Sequence, residues 1–264
     1  MSATFLGRHM ASHVTFDLSG QTAFITGATS GFGARFAEVL SDAGAKVVIT
    51  GRRVERLQTL KAKIENKGGQ AIALPIDVTN VAAIRACVDA AEREAGPIGI
   101  LVNNAGLNVQ ASATALSEAD YDTIMDTNVK GAFFVAQTVG SRMVQHKIQG
   151  RIVNIASIGA MKALPGLVAY SMSKAAIAMM TKGLAREWAK NHIAVNAMCP
   201  GFIETELNSD WFATEGGKKQ VASFPRRRLG REEDLDATLL LLCSRHAGFI
   251  TGSLFTLDDG QLLG

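Results

Sequence analysis

The sequence predicts a doubly wound α/β fold, in which a parallel sheet of about seven strands is covered by helices on both faces. Three observations predict it: short apolar runs alternate with amphipathic stretches of helical period, glycines punctuate the junctions, and 264 residues suit one large α/β domain. Alternating strands and helices form right-handed βαβ units, whose strands pair in parallel. We therefore expect one domain over residues 14–264, preceded by a flexible extension at residues 1–13.

Seven apolar runs are predicted to be strands, and the last of them follows a predicted helix at Leu235–Ser244. The predicted strands are Ala23–Thr26, Val47–Thr50, Ile72–Pro75, Ile100–Asn103, Ile152–Ala156, Ile193–Met198 and Ser253–Leu257. No Pro/Ser-rich linker divides the chain. Residues 206–224 lack clean periodicity, and we predict that they form a mobile lid over the site.

Composition and charge argue against several classes of function. The formal net charge is only +3, from 27 Lys and Arg against 24 Asp and Glu, so neither nucleic acid nor an anionic membrane is an expected partner. The longest aliphatic run, Leu239–Leu242, is much shorter than the roughly 20 residues of a membrane span. The three cysteines have no paired or metal-ligand spacing, which is typical of reduced thiols in the cytoplasm. We expect a cytoplasmic protein without a metal.

The first predicted strand runs directly into Thr26-Gly27-Ala28-Thr29-Ser30-Gly31-Phe32-Gly33, after which a helical apolar stripe begins. Glycines in such a turn allow the backbone to approach a pyrophosphate, whose charge is stabilised by free N–H groups at the helix N-terminus. This placement predicts a dinucleotide site. A glycine-rich turn without a ligand is the alternative.

The end of the second strand distinguishes NAD from NADP, because an acidic residue there would bind the ribose 2′-hydroxyl of NAD. This chain has Thr50-Gly51-Arg52-Arg53 instead. Two guanidinium groups suit the 2′-phosphate of NADP, so NADP is the preferred cofactor and NAD the less favoured one. Alternatively, Arg52, Arg53 and Arg56 belong to the solvated face of the next helix.

Polar residues also follow other strands at the sheet edge where open α/β sheets bind ligands. Asp77-Val78 closes the third strand and Asn103-Asn104-Ala105-Gly106 the fourth. Turn formation alone is the alternative reading of both segments.

Tyr170 and Lys174 are four residues apart in a helical pattern, which places them on one helical face. A neighbouring ammonium favours the phenolate, so we expect Lys174 to lower the pKa of Tyr170. Ser157 follows the fifth strand, and its hydroxyl is suited to holding a substrate oxygen. The alternatives are an ordinary surface pair for the first two residues and a helix cap for the serine.

In order and spacing, these motifs resemble the short-chain dehydrogenase/reductase family, including its 3-oxoacyl reductase-like members. The resemblance covers residues 17–260 and rests on the glycine-rich turn, the Asn103–Gly106 segment, Asn128, Ser157, Tyr170 through Lys174, and Pro200-Gly201 with Thr205. It implies a single-domain Rossmann-type fold. It also implies that Tyr170 is the general acid/base, that Ser157 orients the carbonyl, that Lys174 also holds the nicotinamide ribose, and that Asn128 supports a water-linked proton relay.

The resemblance also implies the cofactor contacts, to which the two arginines are added from the reasoning above. The predicted cofactor-binding residues are Gly27, Ser30, Gly31, Phe32, Gly33, Arg52, Arg53, Asp77, Val78, Asn104, Ala105, Gly106, Tyr170, Lys174, Pro200, Gly201, Ile203 and Thr205. The chain departs from the family at Phe32, where a branched aliphatic residue is more usual, and at Asp259, which replaces the first glycine of a C-terminal Asp-Gly-Gly. That tail often takes part in subunit contacts, and we expect a homotetramer or a homodimer.

Apolar residues near the site predict a pocket for an apolar or aromatic ketone or secondary alcohol, although ordinary core packing is the alternative for several of them. The predicted substrate residues are Met161, Leu164, Phe202, Leu207, Trp211 and Phe212. The expected function is reduction of a carbonyl with NADPH, a small molecule being the partner. An NAD-dependent catabolic alcohol dehydrogenase and a non-catalytic dinucleotide sensor remain the alternatives.

Overall fold

The computed structural model describes residues 14–205 and 208–263, so the predicted extension at residues 1–13 and the predicted substrate residue Leu207 lie outside the described residues. All seven predicted strands are present in a single sheet. The strands are β1 (Thr22–Ile25), β2 (Lys46–Gly51), β3 (Gln70–Pro75), β4 (Ile100–Asn103), β5 (Arg151–Ile155), β6 (Ala194–Pro200) and β7 (Leu254–Leu257).

The strand order is β3-β2-β1-β4-β5-β6-β7, and every neighbouring pair is parallel. The chain runs outward from β1 in one direction and from β4 in the other, so the order reverses between these two strands. This is the topological switch point, where a crevice forms outside the carboxyl ends of the strands. The predicted doubly wound fold is confirmed.

Helices cover both faces of the sheet because the strands are buried on both sides. The helices are α1 (Gly31–Asp42), α2 (Val54–Asn66), α3 (Val81–Ala95), α4 (Glu118–Met125), α5 (Ala132–Gln145), α6 (Val168–Trp188), α7 (Ser209–Ala213), α8 (Glu215–Ala222) and α9 (Asp236–Cys243). Alternate strand residues supply two cores: Ile25 of β1 packs with Phe36 of α1, whereas Phe24 belongs to the opposite core with Val88 of α3.

Helices α4 and α5 are joined without a break by a π-helical turn at Asp126–Gly131. A π-helical turn inserts an extra residue into the helix and often marks a functional site. Here it includes Asn128, which is buried. Gly131 is required at its end, since a Cβ atom there would lie 2.8 Å from the carbonyl oxygen of Val78.

The predicted lid contains two short helices that the sequence pattern did not predict, α7 and α8. The hydroxyl of Thr214 caps α8 by accepting a hydrogen bond of 3.1 Å from the backbone N–H of Gly217. Gly217 packs directly against α7, because a Cβ atom there would overlap the carbonyl oxygen of Trp211. Gly217, which interrupts the helical pattern in the sequence, is therefore the residue that allows α7 and α8 to pack together. That this segment moves as a lid stays a prediction.

In the part of the chain that the structure describes, no helix is both long enough and apolar enough to span a bilayer. Cys87, Cys199 and Cys243 are free thiols, and all three are buried.

Candidate active site

The glycine-rich turn lies at the carboxyl end of β1, and its packing admits no extra side-chain atoms. Gly27 has φ +68°, in the left-handed region, and a Cβ atom there would lie 2.9 Å from Cα of Ala105. A Cβ atom at Gly33 would overlap the carbonyl oxygen of Gly27. The N-terminus of α1 at Gly31 therefore meets a closely packed turn, a backbone cradle that fits the pyrophosphate of a dinucleotide.

The segment after β4 supports this turn from behind. The hydroxyl of Thr26 accepts hydrogen bonds of 2.9 Å from the backbone N–H groups of both Asn104 and Ala105. The side-chain amide of Asn104 donates to the carbonyls of Thr26 at 3.0 Å and of Gly27 at 3.3 Å. Asn104, predicted to contact the cofactor, thus stabilises the conformation of the turn. Thr26 has the same role, which its place in the motif did not reveal.

Arg53 lies against the glycine-rich turn. Its Nη2 donates to Oγ1 of Thr29 at 2.6 Å and to Oγ of Ser30 at 2.7 Å. Gly51 makes this approach possible, because a Cβ atom there would lie 2.7 Å from Cγ2 of Thr29. Arg53, Thr29 and Ser30 therefore form one group of donors at the end of β2, and Thr29 is a member that the sequence analysis did not single out.

Asp77 lies in the loop that follows β3. Its Oδ1 accepts from the backbone N–H of Thr79 at 3.0 Å and from the Thr79 hydroxyl at 2.8 Å. These two hydrogen bonds, with a smaller contribution from the charge of Arg52, hold the pKa of Asp77 below its usual value. The exposed guanidinium of Arg52 thus shares this edge of the sheet with a fixed carboxylate.

Ser157 and Tyr170 face each other near the carboxyl end of β5. Ser157 is buried, and its Oγ accepts a hydrogen bond of 3.0 Å from the backbone N–H of Gly159. Burial raises the pKa of Tyr170, and interaction with the Ser157 side chain acts in the opposite direction. Tyr170 therefore carries its proton at neutral pH and is suited to donating it.

Lys174 lies one helical turn after Tyr170, and it is 6% exposed. Its Nζ donates to the carbonyl oxygen of Ile155 at 2.8 Å and lies 5.6 Å from the centroid of the Tyr170 ring. Burial lowers the pKa of Lys174 to about 8. The prediction that Lys174 lowers the pKa of Tyr170 is wrong: burial raises that pKa, and the opposing effect comes from the Ser157 side chain.

Asn128 positions the segments on either side of the site. Its Oδ1 accepts from the backbone N–H of Leu107 at 2.8 Å, while its Nδ2 donates to the carbonyl of Leu107 at 2.8 Å and to Oγ of Ser173 at 3.0 Å. The Ser173 hydroxyl in turn donates to the carbonyl oxygen of Tyr170 at 2.6 Å. Both amide protons of Asn128 are engaged, so its side chain links the loop after β4 to the first turn of α6. Its predicted part in a proton relay stays a prediction.

The segment Pro200–Thr205 continues from β6 along the same edge. Ile203 pairs with Gly230, and the backbone N–H of Thr205 donates to Oδ1 of Asn208 at 2.9 Å. Gly201 is needed because a Cβ atom there would lie 2.9 Å from Cα of Asp258. The last turn of the described chain therefore lies directly against this predicted cofactor-binding segment.

Leu164 lies near Ser157, and Phe202 and Phe212 contact each other. A Cβ atom at Gly159, beside Ser157, would lie 3.2 Å from Cδ1 of Leu164, so Leu164 lies close to the serine. The ring of Phe202 lies edge-on to that of Phe212 at 6.2 Å and stacks on that of Phe224 at 5.3 Å. Met161 and Trp211 are exposed.

A cavity of about 730 Å³ lies beneath the lid helices. Its lining includes Phe212 and Val221 together with the cationic side chains of Lys218, Arg227 and Arg231. The described residues include no group of three or more His, Cys, Asp or Glu side chains able to hold a metal ion.

Comparison with known proteins agrees with this geometry. Residues 21–216 match the short chain dehydrogenase family. Gluconate 5-dehydrogenase of Gluconobacter oxydans (strain 621H) is 37% identical over 93% of this chain and 96% of its own length. NAD-dependent glycerol dehydrogenase of Listeria innocua is 37% identical over 94% of this chain and 96% of its own length.

A solved structure shows the same fold. The crystal structure of a gluconate 5-dehydrogenase from Burkholderia cenocepacia J2315, in complex with NADP and tartrate, superposes with a TM-score of 0.90 at 34% identity, covering 94% of this chain and 98% of that one. The family match spans most of the chain, and the relatives align with it over more than nine-tenths of their own length. The chain therefore belongs to the short-chain dehydrogenase/reductase family of oxidoreductases.

Proposed function

We propose that this protein is an NADP(H)-dependent oxidoreductase that interconverts a ketone and a secondary alcohol, with Tyr170 as the general acid/base. The observation that carries the proposal is the meeting of Ser157, Tyr170 and Lys174 at the sheet edge that also holds the glycine-rich turn. The cradle formed by Gly27 and Gly33 fits a dinucleotide, which supplies or accepts the hydride when bound.

In the direction of reduction, the hydroxyl groups of Ser157 and Tyr170 donate hydrogen bonds to the substrate carbonyl oxygen, and Tyr170 gives up its proton to that oxygen. The raised pKa of Tyr170 keeps this proton in place at neutral pH. In the direction of oxidation, the deprotonated phenol accepts the proton of the alcohol. Lys174 and Asn128 hold the helix that presents Tyr170.

The preference for NADP is supported by the donor group at the end of β2. Arg53 already lies between the hydroxyls of Thr29 and Ser30, so a 2′-phosphate there would meet a positioned guanidinium and two hydroxyls. An acidic side chain in place of Gly51, which would select the 2′-hydroxyl of NAD, would have to displace Thr29, because its Cβ atom would lie 2.7 Å from Cγ2 of Thr29. The exposed Arg52 adds a second positive charge.

The NADP preference is tested by titrating NADPH and NADH into the Arg53→Ala variant and following cofactor fluorescence. We expect the Kd for NADPH to rise by about 10- to 100-fold, as befits loss of a charge-assisted hydrogen bond, while the Kd for NADH stays nearly constant. Arg56→Ala is the matched control, because Arg56 lies in α2 just after Arg53 and is not among the predicted cofactor-binding residues; it should leave both constants near wild type. An unchanged Kd for NADPH in Arg53→Ala would contradict the proposal that Arg53 binds the 2′-phosphate of NADP.

The reaction itself is tested with a panel of carbonyl compounds and the Tyr170→Phe variant. The panel contains apolar and aromatic ketones, for which Leu164, Phe202 and Phe212 are suited, and 5-keto-D-gluconate, because relatives act on gluconate. Tyr121 is the only other tyrosine, so Tyr121→Phe is the matched control. We expect Tyr170→Phe to lower kcat by about 10²- to 10⁴-fold with NADPH binding retained. Full activity in Tyr170→Phe would refute the mechanism.

A second candidate is an NAD-dependent alcohol dehydrogenase, which is favoured by the 37% identity to the NAD-dependent glycerol dehydrogenase. Tighter binding of NADH than of NADPH to the wild-type protein would select it. A non-catalytic sensor has less support, because Asn128, Ser157, Tyr170 and Lys174 are all retained. A cytoplasmic location agrees with three cysteines that are all free thiols.

A further inference from the structure

The C-terminal turn, residues 258–263, follows β7 and folds back along the edge of the site. Both carboxylate oxygens of Asp258 accept hydrogen bonds from this turn: one from the backbone N–H of Gly260 at 3.1 Å and one from that of Leu262 at 2.8 Å. The carbonyl of Asp258 also accepts from the backbone N–H of Gln261 at 2.9 Å. The turn is therefore a compact, internally bonded unit.

Gln261 connects this turn to two loops of the active site. It is 5% exposed, and its Oε1 accepts a hydrogen bond of 2.7 Å from the backbone N–H of Phe202. Its carbonyl oxygen accepts from Nζ of Lys162 at 3.1 Å. Lys162 lies between Met161 and Leu164, and Phe202 follows β6. One residue thus holds the loops that follow β5 and β6, both of which contain predicted substrate residues.

Asp259 connects the turn to the end of the lid. Its carboxylate accepts from Nη1 of Arg226 at 2.9 Å and from Nε of Arg228 at 2.7 Å. These arginines follow Phe224, whose ring stacks on Phe202. The hydrogen bond from Arg226 holds the pKa of Asp259 below its usual value, so both contacts persist at neutral pH.

The backbone conformation of Asp259 indicates that its carboxylate has a specific role. Its φ is +53°, in the left-handed region that glycine adopts at no steric cost and that other residues adopt rarely. Asp259 therefore occupies a conformation that is unfavourable for an aspartate, and its two hydrogen bonds from arginine offset that cost.

We propose that the C-terminal turn positions the substrate side of the active site, with Gln261 and Asp259 as its two positioning residues. It holds three separate segments in one arrangement: the loop after β5, the loop after β6, and residues 226–228, which follow the lid. This inference rests on the proposed function, because those segments contain the predicted substrate residues. Neither residue contacts the predicted catalytic groups in the described part of the chain, so both act through the segments they hold.

The contact between Asp259 and the lid is tested by hydrogen–deuterium exchange of the full-length protein without ligand. Asp259→Gly suits a backbone with φ +53° and removes the side chain with its carboxylate. We expect amide exchange in residues 208–228 to become about tenfold faster, with exchange in α1–α3 unchanged. Arg227→Gln is the matched control, because it removes a neighbouring arginine that makes neither contact to Asp259, and its exchange should match wild type.

The contact made by Gln261 is tested in the same way. Gln261→Leu removes the acceptor for the Phe202 N–H but keeps the backbone carbonyl that Lys162 contacts, so exchange should rise in residues 201–205. Unchanged exchange in Asp259→Gly and Gln261→Leu would overturn the proposal. So would equal acceleration in α1–α3, since that outcome indicates general destabilisation.

Kinetics separate positioning from mere stability. In Asp259→Gly we expect KM for the carbonyl substrate to rise about tenfold while kcat and the Kd for NADPH stay within about twofold. Combining Arg226→Gln and Arg228→Gln should reproduce this effect, and adding Asp259→Gly to that pair should not increase it. A lower kcat at constant KM would contradict the proposal. If no carbonyl in the panel is reduced, the proposed function fails and the exchange measurements still decide this inference.

Discussion

At the scale of single residues, the buried charge of Lys174 lowers the stability of the folded protein. Its ammonium is almost fully buried, with the carbonyl of Ile155 as its hydrogen-bond acceptor. Burial lowers its pKa from 10.5 to about 8, which means that the folded protein binds this proton less tightly than the unfolded chain does. A charge in this position costs stability, which agrees with the proposal that Lys174 serves the active site.

The first prediction concerns the stability of Lys174→Met. Below pH 8 both states carry the proton and the full cost, on the order of 3 kcal/mol, is present; the cost disappears as the pH rises from 8 to 10.5. Lys174→Met removes this cost but leaves the Ile155 carbonyl without its donor. We therefore expect a net gain of about 1–2 kcal/mol in the free energy of unfolding at pH 7, shrinking by pH 10.

Urea unfolding at pH 7 and pH 10 measures this difference. Lys190→Met, which replaces an exposed lysine just after the same helix, is the control and should change neither value. A Lys174→Met protein that is less stable than wild type at pH 7 would contradict the predicted cost of the buried charge.

At the scale of elements, close packing of the glycine-rich turn against the loop after β4 leads to the second prediction. A Cβ atom at Gly33 would overlap the carbonyl oxygen of Gly27 and lie 2.6 Å from Nδ2 of Asn104. We expect Gly33→Ala to lower the free energy of unfolding by about 2–3 kcal/mol and to weaken NADPH binding, because the turn must open to admit the methyl group. Denaturant unfolding and fluorescence titration measure the two effects.

Gly248→Ala is the control for this overlap, since a Cβ atom there meets nothing within 4 Å. Its free energy of unfolding should stay within about 1 kcal/mol of wild type. Gly33→Ala with wild-type stability would show that the turn has more room than its geometry indicates.

The third prediction concerns a buried polar chain that joins β4, β5 and α6. Asn103 Nδ2 donates to Oδ1 of Asn154 at 3.2 Å, and Asn154 Nδ2 donates to Oγ1 of Thr181 at 2.9 Å. Asn154→Leu should cost about 2–3 kcal/mol because it leaves a buried amide proton of Asn103 without that acceptor. Thr181→Val in the same background should add less than it does alone, and fully additive unfolding free energies would exclude coupling.

The sequence predicts elements well because they depend on local pattern. Alternating apolar runs located all seven strands, with differences of a few residues at the ends; β6, for example, extends to Pro200 because that residue pairs with Leu257. The helices α7 and α8 escaped prediction because they are short and because Gly216-Gly217 breaks their pattern. A helix whose packing depends on a glycine contact looks like a loop in the sequence.

The same contrast between local pattern and long-range contacts applies to the site residues. The proximity of Ser157, Tyr170 and Lys174 could be predicted, because all three lie within 18 residues of the chain, two of them four apart on one helix. Thr26 and Gln261 could not, because they act through hydrogen bonds to residues 78 and 99 positions away in the chain, respectively. Only the folded sheet, which gathers the ends of its strands at one edge, brings such partners together.

At the scale of the whole molecule, the outer face of α6 is apolar and exposed. Val168, Met172 and Met179 are 51%, 49% and 66% exposed, and their spacing of four and seven residues places them on one side of the helix, away from Tyr170 and Lys174. Phe133 and Val144 of α5 are also exposed. An exposed apolar surface of this kind is typical of a subunit interface.

The fourth prediction is that a second copy of this chain covers the α6 surface, giving a homodimer or a homotetramer. Sedimentation velocity at micromolar concentration should show a species larger than one chain. Combining Met172→Glu and Met179→Glu should reduce it to a smaller species, because each carboxylate would have to be desolvated in the interface. Val54→Glu is the matched control, since Val54 is 49% exposed on α2, away from this surface, and should leave the assembly unchanged.

A wild-type protein that sediments as a monomer across the concentration range would show that α6 is simply an exposed face. Retained tyrosine-dependent activity in a monomeric variant would further show that the site is complete within one chain, as the contacts of Tyr170, Ser157 and Lys174 within a single sheet edge lead us to expect.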